Sequence, residues 1–186
     1  MASNQFSADK LTSLAIRMKK GDRKAAILLY EELSPKTYGF FFTRTGRKET
    51  AEDLSQDIFL RLTEKVETFD ENRGGFVVWF WQMARHMLVD HYRSKKATPF
   101  SAFADEEVEA MATSEEPSLE NRMSYLKVQG FLKTLTEEER ELFEMRYVVE
   151  MPYKEIAEVL GRSEGALRVA ALRIKEKIKS KLQDEI

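Results

Sequence analysis

Between Pro99 and Asn121 the chain holds seven acidic residues, Asp105, Glu106, Glu107, Glu109, Glu115, Glu116 and Glu120, and no Lys or Arg. The stretch also carries Pro99 and Pro117, contains Ser101, Thr113 and Ser114, and shows no sustained amphipathic period. Prolines, a run of like charge and no amphipathic period together mark a connection, so residues 97–118 are expected to form a flexible linker. It separates a module over 6–96 from one over 119–186. Each is close to the smallest size that sustains its own hydrophobic core, so the two are expected to depend on each other or on a partner. The formal charge of −2 conceals this segregation, because the chain outside the acidic stretch carries +5.

Composition narrows the chemistry. With no cysteine, disulfide frameworks and thiolate metal sites are excluded. His86 and His91 are the two histidines and have no third partner, so neither a dedicated metal site, a catalytic residue nor a cofactor is expected, and the protein is not read as an enzyme. No apolar run approaches the length needed to cross a bilayer, and the start MASNQFSADK lacks the basic and apolar parts of a signal peptide. A soluble, cytoplasmic protein without membrane insertion is the expectation. Eight glycines and four prolines in 186 residues suit an all-α chain better than an all-β one.

Periodicity places the helices. Leu11, Leu14, Ala15 and Met18 form one stripe, ended by Gly21-Asp22, and Ala25, Leu28, Leu29 and Leu33 form a second that is expected to stop near Pro35. After Gly46, Ala51, Leu54, Ile58, Leu62 and Val66 advance by three or four residues and mark a long amphipathic helix. The cluster Asp70-Glu71-Asn72-Arg73-Gly74-Gly75 reads as a turn. Beyond it Phe76, Phe80, Met83, Met87 and His91 share a helical face. In the second module Val128, Phe131, Leu132 and Leu135 precede Thr136, which has capping-box spacing to Glu139. Pro152 can head a helix ending at Gly161, and Ser163 can cap the next, running to about Leu182.

Those last two helices fit a helix-turn-helix: Ala157 allows close approach, Gly161 turns the chain, and Ile156, Leu160 and Leu167 supply a shared core. A plain helical hairpin would explain the same spacing. Charge argues for nucleic acid instead, since Arg162 to Lys181 carries seven cations against Glu164 and Glu176.

In the first module Gln82, His86, Val89 and Arg93 follow one another as a partly polar stripe bordered by Trp79, with Arg85, Tyr92, Lys95 and Lys96 nearby. Rings and cations together suit unpaired bases and a phosphate backbone, and for Gln82, His86 and Arg93 a wet, charged helix face is an equally good explanation; for Trp79, Phe80 and Trp81 core packing is the better one. Asp53, Gln56 and Asp57 project within one turn of the long helix. Solvated acids are the default reading, and a protein-docking face is the functional one.

At this point the motifs resemble a family. Residues 51–62, AEDLSQDIFLRL, are similar to the DLxQxxF segment of sigma-70 region 2. Residues 79–93, WFWQMARHMLVDHYR, are similar to its WLxxIARNxxxDxxR segment. Residues 132–140 and 153–161 resemble region 4. The chain therefore resembles a bacterial extracytoplasmic-function (ECF, group 4) sigma factor. The resemblance implies two small helical domains, region 2 and a helix-turn-helix region 4, and a subunit that binds core RNA polymerase, directs it to promoters and helps melt the minus-10 region. By the same analogy Asp53, Gln56 and Asp57 would face the polymerase β′ coiled coil, and region 4 the β flap. Trp79, Gln82, Arg85, His86, Asp90 and Arg93 would handle the minus-10 element, with Phe69, Asn72, Arg73 and Phe76 on the loop that holds a flipped base. Arg162, Ser163, Glu164, Gly165, Ala166, Arg168, Val169 and Arg173 would face the minus-35 element. The acidic linker would run through the polymerase. An anti-sigma factor or other targeting protein is the usual further partner.

This chain departs from the pattern where His86 replaces the usual Asn and where Ala166-Leu-Arg-Val-Ala170 replaces a Thr-Val-Lys-Ser-Arg-like run. Two rival readings stand beside the sigma factor: a helix-turn-helix regulator acting without polymerase docking, and an interaction module that sequesters a sigma or anti-sigma partner by mimicry.

Overall fold

A computed structural model describes residues 2–94, 128 and 130–183; the expected linker lies outside them. Among the described residues every regular element is helical: α1 (Ala2–Lys19), α2 (Arg23–Thr45), α3 (Lys48–Lys65), α4 (Phe76–Ser94), α5 (Glu137–Phe143), α6 (Tyr153–Leu160) and α7 (Glu164–Gln183). Short 3-10 turns at Val66–Thr68 and Glu71–Arg73 lead into α4, and a π-helical turn, Glu144–Val148, extends α5.

Local chemistry sets most boundaries. Gly21, at φ +84°, turns the chain after α1, and Asp22 caps α2 by accepting from the Lys24 and Ala25 amides. Arg17 pairs with Asp22 at 2.6 Å, and this hydrogen bond, with the capping amides, holds the Asp22 carboxyl below its usual range. Gly46 ends α2 in the left-handed conformation. The capping box expected at Thr136 is present: Glu139 N donates to the Thr136 hydroxyl and Thr136 N to the Glu139 carboxylate.

Two expectations for α2 do not hold. The helix runs through Pro35 to Thr45, and Leu28 is exposed. Proline costs a helix one hydrogen bond, but the extra turns seat Phe40 and Phe41 in the core, both essentially inaccessible. Burying two aromatic rings is worth several kcal/mol, about 2 each, which outweighs the lost bond. The expected stripe of α3 is intact, with Ala51, Leu54, Ile58, Leu62 and Val66 all buried.

The two modules share one continuous core. Buried residues from Leu11 to Leu88 join Phe131, Leu142, Met145, Ile156, Leu167 and Ile174 in a single cluster. Alpha-4 packs on α6, and α2 packs on the π turn. Gly39 permits the second contact, since a Cβ there would stand 2.9 Å from Val148 Cγ1. Beside it lies a buried ion cluster: Arg44 Nε donates to Glu144 Oε2 at 2.6 Å and its Nη1 to Glu137, while Arg140 Nε donates to Glu144 Oε1 at 3.1 Å and its Nη2 to the Thr43 carbonyl. Burial works against the Arg44 charge, but Glu144, Glu137 and Glu141 outweigh it and raise its pKa.

Candidate nucleic-acid interface

Three surfaces follow from this packing. On α3 the buried stripe turns Asp53, Gln56 and Asp57 outward together, and all three are exposed. Leu60, one turn on, is 60% exposed, and the exposed Tyr30 sets its ring 4.7 Å from that of Phe59, also on α3. The face therefore combines two carboxylates with apolar surface, a mixture suited to docking a protein.

The second surface is built on α4 and the loop before it. Asp70 caps the Glu71–Arg73 turn by accepting from Asn72 N, and the backbone and side chain of Asn72 hold the Asp70 carboxyl below its usual range. Lys19 Nζ ties the loop down by donating to the Phe69 carbonyl at 2.9 Å, and Phe76 N donates to Thr12 Oγ1. Gly74, at φ +145°, supplies a conformation that side chains resist. The result is a cavity of about 450 Å³ lined by Asp70, Arg73, Gly74, Trp79, Gln82 and others, and by Glu158 from α6.

The α4 residues divide by their spacing. Phe80 and Trp81 lie in the core, whereas Trp79 is half-buried at the cavity wall. His86, Asp90 and Arg93 are exposed and Gln82 is half-buried. Phe69 and Phe76 differ from their expected place on a base-holding surface: both are buried, stacked edge to face at 5.5 Å and packed against Trp79. Their rings have no polar atoms to keep them wet, so they shape the cavity from beneath. Asn72 and Arg73 are both exposed, and Arg73 lines the cavity. Arg85 is engaged elsewhere, donating to Glu141 Oε1 at 2.8 Å and to the Val159 carbonyl at 3.1 Å.

The third surface is the helix-turn-helix. Gly161 turns the chain in the left-handed conformation, the Ser163 hydroxyl accepts from Ala166 N, and Ile156 and Leu167 are fully buried between α6 and α7. Outward from that core stand Gly165, Ala166, Arg168, Val169, Leu172 and Arg173, with Glu164 half-exposed. Arg168 donates to Glu164 at 2.5 Å and lies over the Tyr153 ring at 4.9 Å, so its guanidinium is held in one orientation. Arg162 pairs with Glu138 at 3.0 Å. Val169 and Leu172 are 51% and 62% exposed, while Ala170 packs inward. Among the described residues no group of three or more His, Asp or Glu is disposed to hold a metal ion, and no helix is long and apolar enough to cross a membrane.

Arg44, Arg140 and Glu144 carry no sign in the sequence of their role in the buried ion cluster. Nothing in their spacing separates them from surface charges; the one available signal was Gly39, a small residue inside an aromatic-rich helix.

The arrangement defines a helical protein whose first module bears a ring-and-cation cleft and whose second carries a helix-turn-helix. Comparison with known proteins agrees with this division. The model for sigma-70 region 2 matches residues 29–98 and that for sigma-70 region 4 matches residues 125–178. The ECF RNA polymerase sigma factor BldN of Streptomyces coelicolor is 27% identical over 180 residues, covering 95% of this chain and 67% of BldN. SigW of Bacillus subtilis, of the same type, is 25% identical, covering 90% of this chain and 94% of SigW. Among solved structures, CnrH in complex with the cytosolic domain of CnrY superposes with a TM-score of 0.67 at 20% identity over 95% of this chain and 99% of that one. The sigma factor RpoE of Bartonella quintana, in complex with the anti-sigma factor NepR, gives 0.61 at 15% identity over 83% and 94%. The chain belongs to the sigma-70 family, with both matched regions in order, and the relatives it resembles along most of its length are ECF sigma factors.

Proposed function

We infer that this chain is an RNA polymerase sigma factor of the ECF class, group 4, which binds core polymerase, directs it to specific promoters and helps melt the minus-10 region. The observation that carries this reading is the ordered match to regions 2 and 4, supported by an exposed docking face, a cleft for unpaired bases and an outward helix-turn-helix. A regulator that works without polymerase would need the helix-turn-helix and nothing of the first module. Catalysis belongs to the polymerase, and the place of action is the cytoplasm.

The roles follow the surfaces. Asp53, Gln56 and Asp57, with Leu60 beside them, meet the β′ coiled coil; region 4 meets the β flap. Asn72, Arg73, Trp79, Gln82, His86, Asp90 and Arg93 engage the minus-10 strand, the cleft taking a flipped base against Trp79 while rim cations meet phosphates. Phe69 and Phe76 support that cleft from below. On α7, Arg168 and Arg173 meet the minus-35 duplex, with Arg162, Ser163, Glu164, Gly165 and Ala166 at its entry. Val169 and Leu172 offer apolar contact to thymine methyl groups in place of polar readout. An anti-sigma factor is the expected regulatory partner. The experiment is transcription by core polymerase with Asp53→Ala plus Asp57→Ala: loss of transcripts with the fold intact supports the sigma reading, and unchanged transcription refutes the assigned docking face.

A further inference from the structure

On α7 the core takes Leu167, Ala171 and Ile174, and this fixes which residues of the helix face outward. Gly165, Ala166, Val169 and Leu172 share the outward side and are all exposed, the last two by 51% and 62%. Ala166, Val169 and Leu172 are spaced by three, so they adjoin as one row along the helix, and none of the four carries a polar side-chain atom. Cations flank the row: Arg168, Arg173 and Lys175 are exposed beside it. Of these, Arg168 is held in one orientation, since its Nε and Nη2 both donate to Glu164 Oε1, at 3.0 and 2.5 Å, and its guanidinium lies 4.9 Å from the centre of the Tyr153 ring.

An exposed apolar row set between cations fits a partner that is anionic and yet presents apolar groups. Duplex DNA meets both conditions, and the apolar group in its major groove is the methyl on C5 of thymine. A side chain without donors or acceptors cannot sense whether the neighbouring C4 bears the thymine oxygen or the cytosine amine; it senses the methyl. We propose that this row is a reader of the pyrimidine C5-methyl group, so that 5-methylcytosine satisfies α7 as thymine does and methylation of cytosine in the minus-35 element strengthens the hold of the chain on it. The proposal rests on the reading of α7 as the minus-35 helix and deepens it by naming a modified base as ligand. The chain thereby responds to a mark that a separate methyltransferase places on its promoters.

The test starts from a randomised duplex pool, from which the full chain, alone and with core polymerase, selects its preferred duplexes. The best is remade with single-base replacements and titrated by fluorescence anisotropy. At the thymine where replacement by uracil weakens binding most, 5-methylcytosine should bind about fourfold more tightly than cytosine, the affinity equivalent of one buried methyl group, and thymine should exceed uracil by the same factor. Val169→Ala with Leu172→Ala should bring both ratios to one; the two side chains are exposed, so circular dichroism of the variant should match that of the parent. Equal binding of cytosine and 5-methylcytosine by the parent chain at every pyrimidine position overturns the proposal, and is the result expected if the row seats a protein instead. A ratio that survives in the double variant overturns it as well, by placing the methyl elsewhere. Selection of no duplex, with or without polymerase, refutes the minus-35 reading of α7 and this proposal with it. Methyl discrimination by a chain that neither co-migrates with core polymerase nor supports transcription would keep the methyl reader and sink the sigma assignment.

Discussion

Replacing Glu144 with alanine would leave the buried guanidiniums of Arg44 and Arg140 without their shared carboxylate. Removing one partner of a buried ion pair costs about 3–5 kcal/mol, because the surviving charge is left desolvated. Glu144→Ala should therefore lower the unfolding free energy of the whole chain by that amount, read as a lower urea midpoint at unchanged slope, and an unchanged midpoint would show that the cluster contributes no stability. On the recognition helix, Arg168→Ala should weaken minus-35 duplex binding by about 1–3 kcal/mol, since Glu164 and Tyr153 hold its guanidinium in position before DNA arrives. Val169 invites a finer test. Replacing thymine by uracil in the duplex removes only a methyl group, so it should cost wild-type protein about 1 kcal/mol and cost Val169→Ala little. Equal losses in both proteins would take Val169 out of the readout. The sequence showed that Val169 and Ala170 both lack polar groups, but only the helix's setting separates the outward Val169 from the inward Ala170.

Alpha-3 was legible because its apolar positions repeat at helical spacing and tertiary structure does not contradict them. Alpha-2 was only half legible: Pro35 is a local stop signal, and what overrides it is burial of Phe40 and Phe41 against elements distant in sequence. The helix-turn-helix was read correctly since cap, turn and core residues all sit within one short segment. Alpha-6 carries the clearest pH dependence. Burial, then the neighbouring Glu158 charge, pushes Glu155 up to about 7, with Lys154 opposing and Asp9 adding to the rise. Glu32 and Glu150, with Lys36, share its surroundings and hold the local balance acidic. The folded chain thus keeps a proton that the unfolded chain releases in the usual carboxyl range, so this group's stabilisation is full below that range and is lost as pH rises through about 7. Glu155→Gln should flatten the fall of the urea midpoint across that interval; an undiminished slope in the variant would assign the titration to another group.

At the scale of the whole molecule, the acidic stretch suggested two modules, and small module size suggested mutual dependence. The two modules share one continuous core, and the contact between them was not legible in the sequence, being carried by Gly39, Arg44, Arg85 and Glu144 from separate parts of the chain. A shared core predicts a single cooperative urea transition seen alike by tryptophan fluorescence, which reports Trp79 and Trp81 of the first module, and by far-ultraviolet circular dichroism, which reports all helices. Two separated transitions would mean that the modules fold independently. The central claim, promoter-specific initiation, is tested most directly by run-off transcription with core RNA polymerase on a library of upstream regions, with and without this protein. The account predicts new discrete transcripts that require the chain and disappear with the Asp53→Ala, Asp57→Ala variant; a protein that neither binds core polymerase nor yields any transcript would contradict it.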